Sequence, residues 1–190
     1  MAPDRTLIAT TKRELHANRH NCAMSVADHR ATSPASVPCF VLTVSDSRTL
    51  ATETSGRAIV ELLEGAGHEV VGRTLVRDEP SDVARVVHDA IAGGQVRVVI
   101  TTGGTGITTR DSTYEALTSL FDKRLEGFGE LFRVLSFQEI GAAAMLSRAT
   151  AGISGRCAIF MLPGSEHAVR LAMTRLILPE LGHVARELAR

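Results

Sequence analysis

An α/β fold, a mostly parallel sheet with helices packed on it, is what the sequence predicts, and three observations carry that prediction. Short strand-like runs alternate with amphipathic helical stretches along the chain, glycine-rich turns separate them, and the third run, Val96, Val98, Val99 and Ile100, reads as a buried strand. Residues 40–44 form the first such run. Ala58, Ile59, Leu62, Leu63 and Ala66 then recur at helical spacing behind Ser55-Gly56, and Gly65 and Gly67 stop that helix. Residues 68–76 read as a second strand. Ser81 is suited to cap a helix whose Val83, Val86, Val87, Ala90 and Ile91 form one apolar stripe, with Gly93-Gly94 ending it before a third strand at residues 96–100. Strand, helix, strand, helix, strand implies a parallel sheet whose ligands collect at the carboxyl ends of its strands.

Farther along, residues 113–117 open a helix with Leu117, Leu120 and Phe121 on its apolar side. Gly127-Phe128-Gly129-Glu130 leads into another, carrying Leu131, Phe132, Leu135 and Ile140. Gly155 and Arg156 separate strand-like stretches at 148–153 and 157–162. The final helix turns Val169, Ala172, Leu176 and Ile177 inward, and Pro179 must restart or kink it before Leu181, Val184 and Leu188.

Composition bounds the function. The chain has 190 residues, 44% of them hydrophobic, enough for one domain with a tail. Its 21 basic residues balance 21 acidic ones, so neither nucleic acid nor an anionic membrane is an expected partner. No apolar run is long enough to span a bilayer and no continuous apolar segment marks a signal peptide, which points to the cytoplasm. Cys22, Cys39 and Cys157 have neither disulfide nor zinc spacing, and Cys39 and Cys157 read as buried apolar residues. The seven histidines are scattered without ligand spacing. Residues 1–37 mix Arg, His, Ser and Pro without periodicity and read as a flexible tail, with a short helix at 13–18 or a start at Met24 as further readings; 38–190 form the single domain.

The chemistry concentrates where strands end. Thr101-Thr102-Gly103-Gly104-Thr105-Gly106 places three glycines directly after a strand, where the backbone can turn at positive φ and approach a ligand without a Cβ in the way. Freed N–H groups at such a turn bind anions, Arg110 can pair with phosphate oxygens, and Asp111 can hold a divalent metal against them. A Walker loop is excluded, because the only lysines are Lys12 and Lys123. A dinucleotide fingerprint starting at Gly104 fails at Thr109, where a third glycine is needed. Ser45-Asp46-Ser47-Arg48 follow the first strand and Arg77-Asp78-Glu79 the second, so three loops can offer carboxylates and hydroxyls to one crevice; Asp78 reads equally well as turn chemistry ahead of Pro80. Pro163-Gly164-Ser165 again ends a strand and opens a helix, a second candidate anion site.

Several segments together resemble the molybdopterin-binding MoaB/Mog family of molybdenum-cofactor biosynthesis, over residues 38–189. They are Leu42-Thr43-Val44-Ser45-Asp46-Ser47, Thr54-Ser55-Gly56, Thr101-Thr102-Gly103-Gly104-Thr105-Gly106 with Arg110-Asp111, Gly127-Phe128-Gly129-Glu130, Leu146-Ser147-Arg148-Ala149, and Leu162-Pro163-Gly164-Ser165. The stretch Leu135-Ser136-Phe137-Gln138-Glu139-Ile140-Gly141 looks most like the bacterial MoaB branch. The resemblance implies a three-layer α/β/α fold, a homotrimer or a dimer of trimers, and possible contact with other proteins of the pathway. It implies a reaction too: transfer of AMP from Mg-ATP to the terminal phosphate of molybdopterin, giving adenylyl-molybdopterin and pyrophosphate. Asp78 and Asp111 match the family's two acidic positions, Asp111 as metal holder and Asp78 as a second acidic group on the metal or the attacking phosphate. Gly103, Gly104, Thr105 and Gly106 match its nucleotide loop. Ser45, Asp46, Ser55, Gly56, Arg110, Glu115, Ser147, Arg148, Pro163, Gly164 and Ser165 match nucleotide- and pterin-pocket segments. Tyr114 departs from the proline common in family adenylyltransferases; its ring suits stacking or closing the helix start. The alternative is a protein of the same fold that binds or carries molybdopterin without turnover. A third reading, molybdate insertion or nucleotide pyrophosphatase chemistry, belongs with larger multidomain relatives.

Overall fold

The computed structural model describes residues 33–190. The expectations for the tail, for a helix at 13–18 and a start at Met24, and for Cys22, His16, His20 and His29, lie outside those residues.

Among the described residues, six strands form one sheet: β1 (Pro38–Val44), β2 (Glu69–Val76), β3 (Val98–Thr102), β4 (Lys123–Arg124), β5 (Thr150–Ser154) and β6 (Cys157–Leu162). Their order is β2-β1-β3-β6-β5-β4. The four central and left-hand strands are mutually parallel, while β5 runs antiparallel to β6 and to β4. The helices are α1 (Ser55–Gly65), α2 (Pro80–Ala92), α3 (Thr113–Thr118), α4 (Glu126–Ile140), α5 (Glu166–Ala172) and α6 (Leu178–Ala189). No helix among the described residues is long and apolar enough to cross a membrane.

The alternation of side chains across the sheet builds two cores and hence three layers. Cys39 and Val41, Val98 and Ile100, and Ala158, Phe160 and Leu162 face one side, where they pack with Ile59 and Leu63 of α1, Phe132 of α4, Val169 of α5 and Leu181 of α6. Leu42 and Val44, Val99, and Cys157, Ile159 and Met161 face the other, against Val83 and Val87 of α2 and Leu117 of α3. Burial pushes the Cys39 and Cys157 thiols up to about 12, so both stay protonated and behave as the small apolar residues their strand positions imply.

Several local expectations change. Ser81 is not the cap of α2: Glu79 is, with Pro80 at the first helical position, where its missing N–H is no loss. Leu131 and Ile140 are exposed, because α4 buries only the face carrying Phe132, Gly129 and Ser136. Leu120 and Phe121 fall beyond the end of the short α3 yet still pack on the second core. Pro179 kinks nothing abruptly; a wide π turn at Met173–Ile177 joins α5 to α6, and Pro179 sits in the first turn of α6. Val37, placed by composition in the segment before the domain, is fully buried, and its carbonyl accepts the Glu69 N–H.

Candidate active site

With β1 between β2 and β3, the chain leaves β1 toward one side of the sheet and leaves β3 toward the other, and the carboxyl ends at this reversal form the crevice in which open α/β sheets bind ligands. The loops there are tied to one another through backbone bonds: Ser45 N–H to the Val76 carbonyl at 2.9 Å, and Gly103 N–H to the Leu162 carbonyl at 3.1 Å. Strand order therefore makes spatial neighbours of the loops after β1, β2, β3 and β6.

The glycine loop turns sharply at Gly103 (φ 99°) and Gly104 (φ 64°), both in the region that side chains disfavour. A Cβ on Gly103 would strike the Val44 carbonyl, and one on Gly104 would lie 2.6 Å from Asp78 Oδ2. The loop thus lies flat on the end of β1 and directly over Asp78. It does not feed straight into a helix: α3 starts only at Thr113, after a run of turns and bends.

Asp78 is 6% exposed, and its Oδ1 accepts the Ser112 hydroxyl at 3.0 Å, the Thr113 hydroxyl at 3.1 Å and the Ser112 N–H at 3.4 Å. Its own N–H donates to Asp46 Oδ1 at 3.3 Å. Asp111 Oδ2 accepts the Thr108 N–H at 2.9 Å and the Thr108 hydroxyl at 2.5 Å. The Thr108 hydroxyl bond, followed by backbone donors and the Arg148 charge, holds the Asp111 carboxyl below the usual aspartate range against the opposing effect of partial burial.

Two arginines frame these carboxylates. Arg110 is committed to Asp46 (Nε to Oδ2, 2.9 Å) and to Glu79 (2.6 Å), and this pairing lowers the Asp46 carboxyl and raises the guanidinium still further. Arg148 donates from Nε to the Thr105 carbonyl at 3.1 Å and from an amino group to the Asp111 carbonyl at 3.3 Å, pairs with Glu115, and lies over the Tyr114 ring at 4.7 Å.

A cavity of about 420 Å³ opens beside the loop, lined by Gly103, Gly104, Thr105, Gly106, Asp111, Ser147, Arg148, Pro163, Gly164 and Ser165. Ser165 caps α5, its hydroxyl accepting the Ala168 N–H at 3.3 Å. A smaller cavity of about 160 Å³ holds Ser45 and Ser55 and meets the first at Gly164. Asp46, Gly56, Asp78, Arg110 and Glu115 line neither. Sequence reasoning overlooked the wall opposite the loop, formed by Phe132, Ser136 and Ile140 at four-residue spacing on α4, then Ala144. That spacing was its signal. It also overlooked Glu53, a 2% exposed carboxylate that accepts the Gly56 N–H at 2.7 Å and pairs with Arg73. The signal there was an acid one residue ahead of Thr54-Ser55-Gly56.

The family model described as the probable molybdopterin binding domain matches residues 40–183, which span every loop of this site. The chain belongs to that family. Among its relatives, molybdenum cofactor biosynthesis protein B of Halalkalibacterium halodurans is 52% identical over 166 residues, covering 87% of this chain and 98% of the relative. The Bacillus subtilis protein of the same name is 49% identical over 166 residues, with the same coverages. A crystal structure of molybdenum cofactor biosynthesis protein B superposes with a TM-score of 0.81 at 50% identity, over 84% of this chain and 99% of that one. The tungsten cofactor synthesizing protein MoaB from Pyrococcus furiosus does so with a TM-score of 0.75 at 38% identity, over 83% and 100%. Membership of the molybdopterin-binding family places this α/β protein in molybdenum-cofactor biosynthesis, with its glycine-loop cavity at the end where that fold gathers its loops.

Proposed function

We propose that the protein is a molybdopterin adenylyltransferase, joining the terminal phosphate of molybdopterin to the AMP of Mg-ATP and releasing pyrophosphate. The observation that carries this reading is the flat loop at Gly103 and Gly104 opening on a cavity that also holds an ionised carboxylate, Asp111, and a guanidinium, Arg148. The glycine-loop backbone and Arg148 can receive phosphate oxygens, in a pocket large enough for part of a nucleotide and pterin.

In the transfer, a phosphate oxygen of molybdopterin bonds to the α-phosphorus of ATP while the bond from that phosphorus to the bridging oxygen breaks. The attacking phosphate is already ionised near neutral pH, so no base is required. What the chain supplies is position and charge. Asp111 is the residue that fits magnesium: a hard, ionised oxygen donor on the cavity wall. Magnesium is commonly held by one or two carboxylates together with substrate phosphates, and Asp111 offers one such carboxylate. Magnesium, when bound, supplies charge neutralisation at the phosphates. Asp78, locked beneath the loop, holds Ser112 and Thr113 in place beside Asp111.

Incubation with Mg-ATP and molybdopterin, following pyrophosphate and adenylyl-molybdopterin, tests the reading. Both products are expected. Tight pterin binding with no pyrophosphate would replace it with a carrier that binds without turnover. The assembly is read as a homotrimer or a dimer of trimers, supported by the exposed apolar Val134, Phe137 and Met145 on α4 and the turn after it. Sedimentation is expected to give such a mass, and a stable monomer at micromolar concentration would refute it.

A further inference from the structure

We propose that Tyr114 is the positioning residue for Arg148, and through it for the glycine loop and Asp111. The Arg148 guanidinium ties both ends of the loop, bonding the Thr105 carbonyl at one side and the Asp111 carbonyl at the other. A guanidinium that must bridge two carbonyls needs its plane fixed, and the plane is fixed from beyond the cavity. Glu115 takes one amino group, and the Tyr114 ring lies under the cationic carbon at 4.7 Å, inside the range in which a ring face attracts a cation.

Tyr114 is itself held. It is half-buried, packs against the second core and receives a long contact of 3.5 Å from Arg124 on its hydroxyl. Tyr114 and Glu115 are consecutive in the first turn of α3, so one short helix presents both a ring and a carboxylate to one guanidinium. The ring lines neither of the two cavities described beside the glycine loop, and its contact there is with Arg148. A proline at 114 would supply no π face.

The consequence is measurable without any ligand. The loop closes on itself through the Thr108 N–H to Asp111 Oδ2 and the Asp111 N–H to the Thr108 carbonyl at 3.1 Å, and these two amides report its opening by hydrogen exchange. Tyr114→Leu, which keeps an apolar side chain on the core and removes the ring, is expected to speed exchange at Thr108 and Asp111 about two- to fivefold, the value of an exposed cation–π contact. Tyr114→Phe keeps the face and is expected to restore wild-type exchange. The effects of Tyr114→Leu and Arg148→Ala are expected to be less than additive, because each removes the same cation–π contact. The chain has one tyrosine and no tryptophan, so its near-ultraviolet emission belongs to Tyr114 alone. Arg148→Ala, which takes both the charge and the cover from the ring, is expected to make that emission more accessible to acrylamide quenching.

Unchanged exchange in Tyr114→Leu would overturn the proposal, and so would additive effects, or acceleration spread evenly over the core with a lowered melting temperature. The proposal rests on the adenylyltransferase reading only for its kinetic arm, in which Tyr114→Leu raises KM for ATP and Tyr114→Phe does not. Should wild-type protein release no pyrophosphate, that reading falls, and the exchange and quenching results still decide the role of Tyr114.

Discussion

Asp111→Asn is expected to lower adenylyl transfer at least about 100-fold while leaving molybdopterin binding within about threefold, on the scale of removing one charge-stabilising group from a transfer site. The substitution keeps the shape of the side chain, and the amide oxygen can still accept the Thr108 N–H that the carboxylate accepts at 2.9 Å. Loop geometry should therefore survive. What is removed is the negative charge on the cavity wall, and with it the protein's hold on a divalent ion shared with the nucleotide. The loss should be partly recovered by raising magnesium. The pH dependence has a definite sign. Bonds from Thr108 hold the Asp111 carboxyl below its ordinary value of about 4, so its charge, and any stability it adds, is complete above that value and is lost only as pH falls through the lower folded one. No acid limb from Asp111 is expected between about pH 5 and 7. A variant retaining more than a third of wild-type pyrophosphate release would remove Asp111 from the metal-holding role.

How much of this was legible in the sequence depended on the range of the interactions. The strands and helices were written locally. Val98, Val99 and Ile100 form an apolar run because β3 is covered on both faces, and the alternation of β1 between Cys39 and Val41 on one side and Leu42 and Val44 on the other needs only a period of two. The glycine loop was equally plain, since positive φ at Gly103 and Gly104 leaves glycine as the residue without strain. The fate of Arg110 was not legible. Its partners Asp46 and Glu79 lie 64 and 31 residues away, on loops that become neighbours only through the order β2-β1-β3, so an arginine that looked available for phosphate is paired with two carboxylates. Asp78 was legible as an acid in a loop but not as a buried support, which depends on Ser112 and Thr113 arriving from beyond β3. Glu53 looked like an ordinary residue ahead of a helix start because nothing local shows that Arg73 on β2 will meet it. The cavity wall on α4 was hidden in a stripe that serves two purposes, with Phe132 in the core and also bordering the cavity.

Gly104→Ala is expected to destabilise the protein by about 2–4 kcal/mol, a fall of roughly 5–15 °C in melting temperature, and to reduce adenylyl transfer at least about 100-fold even well below that temperature. Two costs add. Alanine at φ 64° carries the left-handed penalty of about 1–2 kcal/mol. Its Cβ would also lie 2.6 Å from Asp78 Oδ2 and 2.7 Å from Thr113 Cβ, and neither neighbour is the free end of a flexible chain: Asp78 is buried and bonded to Ser112 and Thr113. To make room the carboxylate must move, at a cost of about 1 kcal/mol or more for each charge-assisted bond weakened. Gly155→Ala separates the two contributions. Gly155 also has positive φ, 57°, but nothing lies within 4 Å of its Cβ position in the β5–β6 turn, so it carries the backbone strain alone, about 1–2 kcal/mol, with transfer unchanged. If the two alanine variants melt together, the close approach of Gly104 to Asp78 contributes nothing. If Gly104→Ala melts lower but transfers normally, the loop is structural and the phosphates bind elsewhere. The expected pattern, a larger stability loss with transfer abolished in one and kept in the other, follows from the loop resting on Asp78 while Ser112, which Asp78 holds, is the residue next to Asp111.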